Sequence, residues 1–256
     1  FGSYCSENKG VKGMILQNEK IYKVLNIGLI IPKFRTDCTQ IVVWMKMYIL
    51  NEEHKIAATF LEKPWKKLTY LEVRKLSGKK SKSYIYRTLN HLMNDKVIET
   101  EQVGNSLLYG LRLNLLQTQS YLGLLSESIA WESSHIPLNI IEKLADKIKK
   151  VTPFFVLIVT GSYAKRKENK KSDLDVVIIC DDTVRPQAIM AEIRLESDLS
   201  IPRVHPFVFT GKQFLEMLTN KEFNYGKEIA RNNIIFFGGS IYFNIINEAI
   251  EHGFKG

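Results

Sequence analysis

The chain has 256 residues, of which 45% are hydrophobic and 25% charged, a balance typical of a globular protein with one large or two small domains. No apolar run approaches the roughly 20 residues that a membrane-spanning helix needs, so we expect no membrane partner. The first residues lack a signal-peptide pattern, and Cys5, Cys38 and Cys180 show neither zinc spacing nor a disulfide framework. We therefore expect a cytoplasmic protein.

The net charge of +9 is concentrated in the front half of the chain. Residues 64–114 contain ten Lys or Arg against four Asp or Glu, whereas residues 139–256 contain seventeen against fifteen. A basic cluster of this kind favours a polyanionic partner, and nucleic acid is the first candidate.

Residues 1–51 are expected to form an N-terminal extension. Apolar and polar residues mix over 14–31, which is compatible with a short hairpin. Residues 39–50 are apolar and include aromatic side chains, so they suit either a helix that packs on the next segment of the chain or a dimer surface.

Two helices joined by a tight turn are predicted from the hydrophobic spacing after residue 64. The first covers residues 69–77 and stops at Gly78. It is amphipathic, and its apolar residues are Leu71, Val73 and Leu76. The second covers residues 83–94. Its apolar stripe, spaced at i, i+4 and i+7, consists of Ile85, Leu89 and Leu92. A further helix over residues 52–61 precedes them.

A strand, a turn at Gly104 and a second strand are predicted next, over residues 97–103 and 107–113. Helix, turn, helix and hairpin together resemble a winged helix-turn-helix domain, here over residues 52–115. The resemblance implies that the second helix enters the major groove of DNA. The implied DNA-binding residues are Lys79, Lys80, Lys82, Ser83, Tyr84 and Arg87. Such side chains suit phosphate contacts better than base reading, and the same fold also serves as a protein-docking module.

Residues 116–137 are expected to form a linker helix between two domains, or a helix of a homodimer. Helices and strands alternate after them, over residues 138–256, as in a compact α/β domain. A helix over residues 138–151 precedes a buried strand at 154–159, and a second buried strand covers 176–180. The remaining predicted helices cover 186–198, 211–219, 224–231 and 240–252, and the remaining strands cover 203–210 and 234–237.

The most informative residues lie between the first two of these strands. The first strand ends in Gly161 and Ser162, and about ten residues later Asp173 and Asp175 lead directly into the second. The backbone N–H groups of a tight Gly-Ser turn suit a phosphate. Two carboxylates two residues apart on an extended chain point to one face, where a divalent cation between them relieves their repulsion.

This pattern resembles the signature of the DNA polymerase beta-like nucleotidyltransferase superfamily, and most of all its minimal archaeal and bacterial members. This resemblance implies a C-terminal α/β nucleotidyltransferase domain with a polymerase beta-like palm over residues 138–256. Together with the N-terminal winged helix-turn-helix resemblance, it implies an α+β protein of two domains. It implies that Mg²⁺ (or Mn²⁺) is held by two catalytic residues, Asp173 and Asp175. The implied nucleotide-binding residues are Gly161, Ser162, Lys165 and Arg166.

One position departs from the family pattern. Many members carry a third carboxylate on the strand after the crossover helix, but residues 203–209 contain no acid, and Arg203 or His205 occupies the corresponding face. Two functions therefore stay open. One is a Mg²⁺-dependent nucleotidyltransferase that moves an NMP from an NTP to an unidentified acceptor and binds DNA through its winged helix. The other is a DNA-binding transcriptional regulator whose degenerate domain only binds nucleotide.

Overall fold

A computed structural model describes residues 52–256 of the chain. The N-terminal extension, with its predicted hairpin and its apolar segment, lies outside the described residues. Within 52–256, no helix combines the length and the apolar character that crossing a membrane requires.

The front of the described chain combines short helices with a small antiparallel sheet. Its helices are α1 (Glu52–Ala57), α2 (Tyr70–Ser77) and α3 (Lys82–Asn94), with a 3₁₀ turn over Ala58–Phe60. Its strands, in the order β1-β3-β2, are β1 (Leu68–Thr69), β2 (Ile98–Val103) and β3 (Ser106–Leu111). Val103 pairs with Ser106, so the chain reverses over Gly104 and Asn105 at the predicted turn.

Local hydrogen bonds set the ends of α2 and α3. Thr69 accepts from the Glu72 backbone N–H, and the Glu72 carboxylate accepts from the Thr69 N–H in return, which caps the start of α2. Gly78 ends α2 with a left-handed backbone, at a φ of 64°. The Ser81 hydroxyl accepts from the Tyr84 N–H, so α3 begins one residue earlier than predicted.

The apolar stripe predicted for α3 is confirmed, because Ile85, Leu89 and Leu92 are all buried in one core with residues of α1, β2 and β3. Burial of three large aliphatic side chains stabilises the front part by several kcal/mol, at roughly 1.5–3 kcal/mol each. The same core includes Tyr109 of β3 and Leu125, which comes from a helix further along the chain. The front helices and sheet are therefore packed as one body.

The apolar side predicted for α2 is wrong at two of its three positions. Val73 is buried, but Leu71 is 70% exposed and Leu76 is 47% exposed. Residues two apart on a helix do not share a face, so Leu71 points away from the side on which Val73 packs. The short helix reaches the core through Val73 and leaves the other two side chains at the surface.

Helix α4 (Leu116–Trp131) contacts both the front and the C-terminal part of the described chain. Thr118 donates to the Lys96 carbonyl just after α3. Leu125 is buried in the front core, whereas Leu122 belongs to a core of the C-terminal part. Where the sequence predicts a linker helix or a dimer helix, α4 thus buries both of these leucines within the chain.

A mixed four-stranded sheet forms the centre of the C-terminal part. Its strands, in the order β6-β5-β4-β7, are β4 (Phe155–Val159), β5 (Leu174–Cys180), β6 (Val204–Thr210) and β7 (Ile234–Phe237). β5 and β6 are parallel, whereas β4 runs antiparallel to β5 and β7. The helices around the sheet are α5 (Leu138–Lys149), α6 (Gly161–Ala164), α7 (Pro186–Leu199), α8 (Gly211–Thr219), α9 (Tyr225–Arg231) and α10 (Gly239–Glu251). Every element predicted over residues 138–256 is present.

Alternate residues of β4 and β5 face opposite sides of the sheet and fill two cores. One core, toward α5 and α7, contains Leu157, Val176 and Ile178. The other, toward α8, α9 and α10, contains Val156, Ile158 and Val177. Because helices cover both faces, these strands have the continuous apolar sequences from which they were predicted.

Two glycines let α4 and α10 cross in close contact. A Cβ on Gly123 would lie 2.5 Å from the Ser240 backbone nitrogen, and a Cβ on Gly239 would lie 2.7 Å from the Gly123 Cα. The Glu127 carboxylate, one turn further along α4, accepts a hydrogen bond of 2.7 Å from the Gly239 N–H. Glu127 therefore supplies the partner that this buried donor at the start of α10 requires.

Candidate active site

The end of β4 and the start of β5 lie side by side, because the two strands are antiparallel neighbours. Val159 pairs with Val176, and the Thr160 N–H donates to the Asp175 carbonyl over 3.0 Å. Residues 160–173 thus leave the sheet and return to it at the same end. The Gly-Ser turn and the paired acids, which are separated in the sequence, are consequently neighbours in space.

Gly161 directly contacts the Asp175 carboxylate. Its φ is 68°, and a Cβ at this position would lie only 2.0 Å from Asp175 Oδ2. A side chain is therefore excluded twice, by the left-handed backbone and by the carboxylate. The backbone N–H groups of Lys165 and Lys167 donate to the carbonyls of Gly161 and Ser162, so the short helix α6 starts at the turn itself.

On the other side of β5, the residue of β6 opposite Asp175 is His205. His205 Nδ1 lies 3.4 Å from Asp175 Oδ1. A histidine therefore stands on the strand and face where the resemblance leads one to look for a third carboxylate. The acids that precede β6 are engaged elsewhere, since Glu196 pairs with a lysine of α5 and Asp198 lies 3.2 Å from Arg203.

Helix α9 contributes two side chains that no sequence motif singled out. Glu228 Oε1 lies 2.9 Å from Lys165 Nζ, so the lysine predicted to bind nucleotide is held in an ion pair. The Tyr225 ring packs on Phe207 with 4.8 Å between ring centroids, and Phe207 packs in turn on His205 at 4.5 Å. No local spacing signals Glu228, because it meets Lys165 across 63 positions of the sequence.

The surroundings of Asp175 raise the pKa of its carboxyl group. Burial is the largest cause; His205 opposes it, while the carboxylates of Asp173 and Glu228 add to it. Burial, followed by the charges of Asp175 and Glu228, also raises the pKa of Tyr225, so this phenol keeps its proton near neutral pH. The site is thus half-buried and electronegative, which favours a bound cation.

Asp173 and Asp175 fit a Mg²⁺ (or Mn²⁺) ion whose coordination a substrate completes. The two carboxylates interact electrostatically, since the charge of Asp173 raises the pKa of Asp175. Across residues 52–256, no group of three or more His, Cys, Asp or Glu side chains has an arrangement that would hold a metal unaided. Mg²⁺ is usually bound through one or two carboxylates plus substrate phosphates, which matches a carboxylate pair beside the Gly161 turn.

The other two residues predicted to bind nucleotide also lie at this end of the sheet. Ser162 is the second residue of α6 and is partly exposed. Arg166 follows α6 with a left-handed backbone, at a φ of 52°, and an exposed side chain. The fold therefore gathers all six predicted residues in one region: Gly161, Ser162, Lys165, Arg166, Asp173 and Asp175.

The residues predicted to bind DNA belong to the front part, around the start of α3. Lys79 forms an ion pair with Glu52, which offsets part of its charge. The Arg87 guanidinium lies 5.3 Å from the centroid of the Tyr84 ring. The remaining predicted residues have exposed side chains: Lys80, Lys82 and Ser83.

Comparison with known proteins finds a family match in the C-terminal part. Residues 140–230 match the family model described as a nucleotidyltransferase domain. The matched segment runs from α5 to α9, so it contains the Gly161 turn, both aspartates and Glu228. No curated protein and no solved structure matches the chain. Over residues 140–230, the chain is thus similar to a nucleotidyltransferase domain.

Proposed function

We propose that this protein is a Mg²⁺-dependent nucleotidyltransferase, which transfers an NMP from an NTP to an acceptor and releases pyrophosphate. The observation that carries the proposal is the contact between Gly161 and the Asp175 carboxylate. This contact places a turn that suits a phosphate directly beside a carboxylate that suits a cation. A nucleoside triphosphate bound with its cation is the ligand that needs both at once.

The backbone N–H groups at the Gly161 turn and the Ser162 hydroxyl would hold the β- and γ-phosphates. Lys165 and Arg166 directly follow α6, where their positive charges would stabilise the departing pyrophosphate. Lys165 would have to exchange its present partner, Glu228, for a phosphate oxygen. This exchange replaces one anion by another, so the lysine keeps a partner throughout.

Asp173 and Asp175 would hold the Mg²⁺ ion together with oxygens of the triphosphate. When bound, the ion would neutralise the phosphate charges and lower the pKa of an attacking hydroxyl. Asp175 is positioned for this role by three strands, since β4 and β6 flank the strand that carries it. Its orientation is further fixed by Gly161 on one side and His205 on the other.

A second candidate function is a DNA-binding transcriptional regulator whose nucleotidyltransferase domain senses nucleotide without transferring it. The observation that favours it is His205, because an imidazole is a poorer Mg²⁺ ligand than the carboxylate of many family members. The front part supports a DNA-directed role in either case. Two helices joined by a turn and followed by a hairpin, in the sheet order β1-β3-β2, fit a winged helix. The proposed phosphate contacts are Lys80, Lys82, Ser83, Tyr84 and Arg87, with Lys79 less available because of Glu52.

Transfer of label from each α-³²P-labelled NTP in the presence of Mg²⁺ tests the proposal. The wild type should transfer label to an acceptor, and Asp173→Asn/Asp175→Asn should lose at least a hundredfold of the rate, because the cation loses both protein ligands. The matched control is Asp181→Asn/Asp182→Asn, which removes two charges at the opposite end of β5 and should retain activity. Nucleotide binding without transfer, together with specific DNA binding, would favour the regulator instead.

A further inference from the structure

A cleft of about 730 Å³ opens between α7 and the start of β6, beside the candidate active site. Asp173 and His205 form part of its wall, so the cleft reaches one carboxylate of the proposed metal-binding pair. Met190, Pro206 and the exposed arginines Arg194 and Arg203 line the remainder. This volume lies within the range of about 300–1,000 Å³ that is usual for sites of small-molecule ligands.

The sheet order places this cleft on the opposite side of Asp175 from the Gly161 turn. The turn and Lys165 follow β4, on one side of β5, whereas the cleft borders β6 on the other side. In phosphoryl and nucleotidyl transfer the attacking and leaving oxygens are roughly in line, on opposite faces of the phosphorus. If pyrophosphate leaves toward the Gly161 turn, the attacking hydroxyl must arrive from the side of the cleft.

The charged groups of the cleft select an anionic ligand. Arg194 and Arg203 lie 4.0 Å and 3.2 Å from the same carboxylate, that of Asp198. The two arginine side chains are 84% and 68% exposed, so water screens these ion pairs and each of them is weak. The other acid of the wall, Asp173, is proposed to bind the cation, so Asp198 is the carboxylate that remains for the two guanidinium groups. A planar guanidinium binds a phosphate or carboxylate group in bidentate fashion, which makes an oxyanion the complementary ligand.

We propose that this cleft binds the acceptor, and that the acceptor is a small alcohol carrying an oxyanion, either a phosphate or a carboxylate, held by Arg194 and Arg203. This inference rests on the proposed function, since the nucleotide supplies the second substrate. The acceptor hydroxyl oxygen forms a bond to the α-phosphorus, and the bond from that phosphorus to the bridging oxygen breaks. Pyrophosphate leaves with the electron pair, and the hydroxyl proton passes to solvent.

Calorimetric titration of the full chain, saturated with Mg²⁺ and an unreactive α,β-methylene NTP, tests the proposal. The probes are glycerol 3-phosphate, glycerate and uncharged glycerol, which share a hydroxyl and differ in the oxyanion. At least one of the two anions should bind about tenfold more tightly than glycerol or better, and their order shows which oxyanion is preferred. Arg194→Gln/Arg203→Gln should abolish this difference. Asp198→Asn, which releases both guanidinium groups, should strengthen anion binding.

The control is Arg185→Gln, which removes an exposed arginine just before the other end of α7 and should bind the anions like the wild type. The proposal is overturned if the anions bind no better than glycerol, or if the double variant binds them unchanged. Binding of the NTP analogue is measured first in the same samples. A chain that fails to bind the analogue contradicts the proposed function, whereas a chain that binds it and ignores the anions contradicts only the acceptor site.

Discussion

At the scale of single residues, Gly161 is the position at which the Gly-Ser turn of the motif contacts one of its two aspartates, Asp175. The tight turn was predicted from the Gly-Ser pair, but the 2.0 Å approach of Asp175 Oδ2 to a would-be Cβ depends on the antiparallel pairing of β4 and β5. Sequence spacing therefore indicated which residues matter. The reason why one of them must be glycine comes from the fold.

Substitution of Gly161 by alanine should impair nucleotide binding far more than the same substitution at a left-handed glycine that contacts no functional residue. Gly78 provides the matched control, because its φ is 64° but no atom lies within 4 Å of the position that a Cβ would take there. Gly78→Ala should cost about 1 kcal/mol of unfolding free energy and leave NTP affinity unchanged. Gly161→Ala should displace the Asp175 carboxylate and weaken Mg²⁺-dependent NTP binding at least tenfold. Equal effects of the two variants on affinity would contradict the role assigned to the Gly161–Asp175 contact.

Glu228 restrains the lysine that is proposed to bind the triphosphate. Glu228→Gln removes a charge that competes with phosphate for Lys165 and that repels the nucleotide. We expect the variant to bind NTP up to about fivefold more tightly, the size of an exposed ion pair, as measured by fluorescence titration in Mg²⁺. Glu222→Gln, an exposed carboxylate in the loop before α9, should leave the affinity unchanged. Weaker binding by Glu228→Gln would mean that the ion pair orients Lys165 for the phosphate.

At the scale of elements, α4 packs against α10 and contributes side chains to both the front core and a core of the C-terminal part. The sequence predicted the helix but not its contacts, because Gly123, Gly239 and Glu127 meet only after distant segments pack. Two small residues allow the close crossing, and one half-buried carboxylate accepts the hydrogen bond from the donor at the start of α10. By contrast, Leu71 and Leu76 read as a buried side of α2, yet the helix packs through Val73 instead.

Glu127 should make stability depend on pH. Burial raises the pKa of its carboxyl group above the ordinary value of 4.5, against the opposing hydrogen bonds from the Gly239 and Gly238 backbone. The folded state therefore binds this proton more tightly than the unfolded chain, so its stabilising contribution is present below pH 4.5 and is lost as the pH rises through the raised pKa. Glu127→Gln keeps an acceptor for Gly239 without the charge.

Urea unfolding between pH 4 and 7 checks this expectation. The wild type should lose stability relative to Glu127→Gln as the pH rises, whereas Glu127→Ala should be less stable throughout by about 1–3 kcal/mol, because the Gly239 N–H loses its partner. Glu142→Gln on α5 is the control for removal of an exposed carboxylate. Parallel pH profiles for the wild type and Glu127→Gln would show that burial does not disfavour the charge at this position.

At the scale of the whole molecule, the residues of the candidate site that are close together in the sequence could be predicted. Those contributed by distant segments of the chain could not. The strands that flank the motif are short, apolar and buried on both faces, so Gly161, Asp173 and Asp175 were recognisable as one unit. Glu228 and Arg194 come from α9 and α7, and no local pattern distinguishes them from other surface charges. Tertiary packing alone brings Glu228 to Lys165 and Arg194 to the cleft beside Asp173.

The most direct test of the central claim is a time course with α-³²P-labelled NTP and Mg²⁺ in which labelled acceptor and pyrophosphate are quantified together. A nucleotidyltransferase should form the two products in equal amounts, and Asp173→Asn/Asp175→Asn should form both at least a hundredfold more slowly. Tight binding of the nucleotide with no pyrophosphate, or release of orthophosphate in its place, would contradict the proposed reaction.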